Sequence, residues 1–163
     1  MVKIARRIVM LHPAIISAAI MIGYAMPLFV QILPLHVLLK GALYVFPFVA
    51  MCTWIWAVFH VANRTLPHPR SHHWGWVFAA PPAIIFVAGS AGWSTNNSPS
   101  AFAFFISLFV AITLAAKALE KAHDPDGNPS VGRMLGTALL MYFAPVGVFA
   151  LHGRVLRVAS RSL

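Results

Sequence analysis

The stretch Gly41–Asn63, GALYVFPFVAMCTWIWAVFHVAN, decides the class of this chain. It contains no charged side chain and is bracketed by Lys40 and Arg64. Wound as an α-helix it is about 34 Å long, close to the thickness of a bilayer's hydrocarbon core. The other apolar segments are expected to pack beside it.

The composition points the same way. Of 163 residues, 60% are hydrophobic and 9% charged, whereas soluble domains carry about a quarter charged residues. Twelve basic and three acidic side chains cannot coat a soluble core, but lipid can take the place of that coat. The net charge of +9 raises nucleic acid as a partner. The cations, however, sit in short groups between apolar segments, as at membrane flanks, so no nucleic-acid partner is expected. A lone cysteine, Cys52, excludes an intrachain disulfide and any multi-cysteine metal site.

Working outward, Lys3, Arg6 and Arg7 precede an apolar run that no small-x-small cleavage pattern closes, so they read as a basic lead into a first membrane helix. That helix is expected over 13–33, with Pro13 in its first turn, where no amide bond is lost. The link LPLH (33–36) is short enough to pair it antiparallel with 41–63. After the loop NRTLPHPRSHH (63–73), a third segment spans 74–93, framed by Trp74, Trp76 and Trp93 at headgroup level. The turn STNNSPS (94–100) leads to a fourth segment, 101–116, after which Lys117, Glu120 and Lys121 are expected in water. The loop EKAHDPDGNPS (120–130) holds all three acidic residues. Its DPDGN core looks like half a calcium loop. But Gly127 falls at the fourth position rather than the sixth, and Leu135 stands where the closing glutamate belongs, so it reads as a plain turn. A fifth segment, 134–153, is interrupted at Pro145-Val-Gly147. The fold expected is all-α: one polytopic integral membrane domain over 1–163 with about five helical segments, the last spanning or re-entering.

Charge bears on that choice. Five spans put eight cations on the N-terminal side and leave Lys40 and three C-terminal arginines opposite; a re-entrant last segment makes the division eleven to one. Five spans are the expectation, with a cytoplasmic N-terminus in a bacterial inner membrane. An aromatic residue stands three positions before proline at Tyr24–Pro27, Tyr44–Pro47, Phe78–Pro81 and Tyr142–Pro145. Proline-kinked helices are expected there, each with a freed carbonyl that a neighbour must satisfy.

Few residues offer chemistry. At 100° per residue, Thr53, Trp56, His60 and Arg64 form one stripe of the central helix, with Asn63 at its edge. A polar stripe faces protein or a water-filled space rather than lipid. His12 and Ser17 of the first segment are its expected partners, and Phe59 on the neighbouring face is expected to matter less. His12 and His60 also lie at similar depth, the arrangement of a bis-histidine haem b site. Trp56 and Phe59 crowd that position, and no cofactor is expected. His68, His72 and His73 lack a fourth ligand, so no metal is expected either. No carboxylate lies inside the expected spans, and no nucleophile motif, P-loop or dinucleotide fingerprint occurs. Small residues recur four apart at Gly132 and Gly136, Ala79 and Ala83, and Ala111 and Ala115, a spacing that allows close helix packing. The expectation is a small non-enzymatic membrane protein, an accessory or scaffold subunit contacting lipid and other membrane subunits or itself. The alternatives are a homo-oligomeric pore or membrane-disrupting effector, and a haem-bearing electron-transfer subunit.

Overall fold

The computed structural model describes residues 2–32, 34, 36–66, 72–91, 99–124 and 129–161. Among them are seven α-helices and no strand: α1 Val2–Met10, α2 Pro13–Ile32, α3 Val37–Arg64, α4 Ala80–Ser90, α5 Pro99–His123, α6 Val131–Tyr142 and α7 Ala144–Arg161. A 3₁₀ segment, His72–Phe78, precedes α4. Trp93, His68 and most of the DPDGN turn lie outside the described residues.

The central helix is α3. A helix apolar on every face must meet protein or lipid on every face, and α1, α2, α4, α5 and α7 all pack against it. Its second half carries the core: Met51, Trp54, Ile55, Ala57, Val58, Phe59, Val61 and Ala62 are all buried. Pro47 lies inside it and meets Gly23 of α2 so closely that a methyl at Gly23 would press into the Pro47 ring and backbone. Glycine is what lets these two helices cross at that point.

Among the described residues, two helices are long and apolar enough to cross a membrane, Leu39–Arg64 and Pro99–His123. A third qualifies if α1 and α2 count as one span, but they meet at 91°. The outside is apolar as well: Phe102, Phe105, Ile106 and Phe109 of α5 are each more than half exposed, an unfavourable surface in water and an ordinary one in lipid. These features are those of a membrane protein. Two qualifying helices do not confirm the five-span arrangement.

The first departure is at the N-terminus. Residues 2–10 form a separate helix, α1, rather than a lead. Pro13 disfavours a helical residue before it, and His12 occupies the corner, its Nδ1 accepting the Ala14 N–H at 3.3 Å. Ala5 and Val9, one turn apart, bury the inner face of α1 against the bundle.

The second is at the C-terminus. α6 ends at Phe143, whose N–H bonds the Leu139 carbonyl and whose own carbonyl accepts from Gly147 at 2.8 Å, opening α7. If α6 and α7 ran on as one helix, Arg133 and Arg154 would stand roughly 32 Å apart. Instead both pair with the carboxylate of Glu120, at 3.4 and 3.2 Å. Segment 134–153 therefore doubles back, correcting the expectation of a fifth straight span. Gly147 permits the corner, since a methyl there would overlap the Leu140 carbonyl.

The prolines divide accordingly. Pro47 is within a helix, whereas Pro81 and Pro145 sit in the first turns of α4 and α7. There the missing amide leaves no broken bond. These two start helices rather than kink them.

Candidate functional site

Two polar groups of residues stand out, the stripe on α3 and a charged cluster at the foot of the C-terminal hairpin.

Along the stripe, Thr53 is exposed, Trp56 half-buried, His60 and Asn63 buried, and Arg64 exposed at the helix end. The His60 ring lies edge-on to Trp56, centroids 4.7 Å apart, and edge-on to Phe59 at 5.7 Å. The His60 Nε2 and Trp56 Nε1 both face Gly75 of the 3₁₀ segment. Beside them a cavity of about 350 Å³ opens between α3, the 3₁₀ segment and α4, with Thr53, Trp56 and Gly75 among its walls. Cys52 also borders it.

His12 and Ser17 do not serve this stripe as expected. Ser17 donates to the Pro145 carbonyl of α7 at 2.9 Å, tying α2 to the hairpin corner. His12 is exposed and accepts from the Ala14 amide, while His60 is enclosed beside Gly75. The two imidazoles are thus committed to different neighbours. Phe59 is 1% exposed and stacks at 5.1 Å on Phe78. It belongs to the core, not to a dispensable flank.

That placement keeps the expected ranking but makes neither substitution silent. Phe59→Leu should lower stability by about 1 kcal/mol, the usual cost of a reshaped but still apolar core side chain. His60→Leu should cost more, about 1–3 kcal/mol, because it removes a polar group from a built environment. Thermal unfolding in detergent, followed by circular dichroism, measures both; a silent Phe59→Leu would contradict the packing described.

The charged cluster escaped sequence reading. The fourth segment does not end at Ala116: α5 continues to His123. Lys117 is exposed and Lys121 half-exposed on its outer side, whereas Ala115, Ala116, Ala118, Leu119 and Glu120 face inward. Glu120 is fully buried. Its Oε1 accepts from Thr137 Oγ1 at 2.5 Å and from Arg154 Nη1 at 3.2 Å. Its Oε2 meets Arg133 Nε at 3.4 Å, an ion pair that lacks hydrogen-bond geometry. Ser130 caps α6 by accepting the Arg133 amide, which fixes the first turn from which that guanidinium reaches inward. Arg133 also pairs with Asp124 at 3.4 Å, and His123 lies within electrostatic reach of Glu120, Arg133, Arg154 and Arg157. One carboxylate thus ties α5, α6 and α7 together. The signal in the sequence was the spacing of Lys117 and Lys121, one turn apart on a single outer stripe with Glu120 off it.

The small-residue pairs fall in different surroundings. Ala111 and Ala115 are buried in the core. Ala79 and Ala83 are exposed, Ala83 beside the start of α5. Gly132 and Gly136 are exposed on α6 with nothing within 4 Å of where a side chain would begin. Among the described residues, no group of three or more histidines, cysteines and carboxylates converges in a way that could hold a metal. Comparison with family models, with curated proteins and with solved structures finds no match, so these geometries alone carry the functional reading.

Proposed function

We propose that this chain is an accessory or scaffold subunit of a membrane complex, acting through helix contacts rather than catalysis. The observation that carries this reading is the outer face of α6. Gly132 and Gly136 lie open there beside Val131, Leu135 and Leu139, which are 67, 56 and 60% exposed. In lipid, bare glycine backbone flanked by large apolar side chains makes a groove that another membrane helix can enter at close range. The partner proposed is a helix of a different membrane subunit.

In the same reading, α2, α3, the 3₁₀ segment with α4, and α5 make four crossings, and α6–α7 enters and leaves on one side. Eleven of the twelve cations then share that side, with Lys40 opposite. By the positive-inside rule both termini are cytoplasmic, in a membrane of bacterial inner-membrane type.

The test is purification of the tagged full chain from its native membrane in mild detergent. The intact complex is expected to contain a second, different polypeptide. Gly132→Leu with Gly136→Leu fills the groove and should release that polypeptide, while the chain's own stability is kept or rises, by up to about 1 kcal/mol per replaced glycine through helix propensity. Recovery of the wild-type chain alone would overturn the proposal. A closed ring of identical chains would replace it with the pore reading.

A further inference from the structure

We infer that the face made by α1 and the end of α7 is a binding surface for anionic phospholipid headgroups. α1 and α2 meet at a bend of 91°. If α2 runs across the bilayer, α1 lies along its surface, and α1 packs on both α3 and α7. Ala5 and Val9 hold its inner side. Its outer side mixes exposed Lys3 and Arg7 with apolar Ile4 and Met10, 59 and 50% exposed. Cations interleaved with apolar side chains on one helix suit the boundary between headgroups and acyl chains. On neighbouring α7, Arg157 and Arg161 are exposed as well.

The charge on this face has no internal answer among the described residues. Of the acidic residues, Glu120 is buried under Arg133 and Arg154, and Asp124 is paired with Arg133. Asp126 lies outside the described residues. The Nε of Arg6 is covered from solvent yet reaches no acceptor among the described residues. That atom is closed to an outside ligand as well, so it is the exposed cations Lys3, Arg7, Arg157 and Arg161 that call for oxygen acceptors from outside the chain. Phosphate oxygens of anionic lipids meet that demand at the depth where α1 lies, and a cation near such a surface gains about 1 kcal/mol, or roughly fivefold in affinity.

The test uses the purified full chain in an uncharged maltoside detergent, titrated with phosphatidylglycerol or phosphatidylcholine, with retained lipid counted by native mass spectrometry. Phosphatidylglycerol is expected to bind about tenfold tighter or more. Lys3→Gln with Arg7→Gln should weaken it at least fivefold and leave phosphatidylcholine unchanged. These side chains are exposed, and circular dichroism checks that the helices persist. Lys40→Gln, at the other end of the bundle, should leave the preference intact. Equal retention of the two lipids would overturn the inference, as would a Lys40→Gln loss matching that of the double variant. Displacement of phosphatidylglycerol by heparin at equal charge concentration would also overturn it, assigning the surface to a soluble polyanion.

Discussion

Glu120→Ala is expected to lower the unfolding free energy by about 3 kcal/mol, the lower end of the range for removing one partner of a buried ion pair, because the Arg133 and Arg154 side chains are 45 and 39% exposed. Deleting the carboxylate leaves two guanidiniums, from Arg133 and Arg154, facing each other across the space it filled. Thr137, 1% exposed, loses its acceptor as well. Repulsion and an orphaned hydroxyl therefore act together on the contacts that close the hairpin. Glu120→Gln keeps the shape and an acceptor for Thr137 but removes the charge, so it should fall between wild type and alanine. Adding Arg154→Met to Glu120→Ala should recover part of the loss, since one uncompensated cation disappears. Denaturant titration in mixed micelles measures the series, and nitroxide labels placed on α6 and α7 report whether the hairpin opens. A loss below about 1 kcal/mol in Glu120→Ala, the level of an exposed pair, would mean that the carboxylate does not hold the three helices together.

Gly147→Ala is the second large effect, at about 3 kcal/mol, the upper end of what overpacking costs. A side-chain clash can be relieved by a new rotamer, but here the obstacle is the carbonyl of Leu140. Relief requires the corner itself to open. Because Ser17 bonds the neighbouring Pro145 carbonyl, opening also pulls on α2. Gly153 supplies the control: nothing lies within 4 Å of its missing methyl, and alanine there should stabilise α7 by up to about 1 kcal/mol through helix propensity. Thermal unfolding of the two variants in the same detergent should therefore move in opposite directions. Parallel shifts would show that the corner tolerates a methyl.

Much of the architecture was legible in order along the chain. Gly41–Asn63 has apolar residues on every face, and such a helix needs protein or lipid on every side; α3 meets five other helices. The stripe on α3 was also readable, because helical periodicity alone brings Thr53, Trp56 and His60 to one side. What periodicity reports is the direction of a side chain, not the identity of what it meets. Phe59 pointed to a neighbouring face in sequence, and only packing against Phe78 made that face core.

The C-terminal hairpin and its lock belong to tertiary structure for the same reason. Glu120 looked like the first residue of a wet loop because a buried carboxylate is costly without partners. Its partners come from Thr137, 17 positions later, and Arg154, 34 positions later, and no local pattern announces them. The break at Pro145 and Gly147 was visible as an interruption, but an interrupted helix can bend slightly or reverse. The chain reverses where Gly147 meets Leu140 and where Arg133 and Arg154 share one carboxylate. Local sequence therefore determined which segments are helical and apolar. Long-range ion pairing and backbone contact decided how the last of them fold back, because the cost of a buried charge depends on the groups that only the folded chain brings to it.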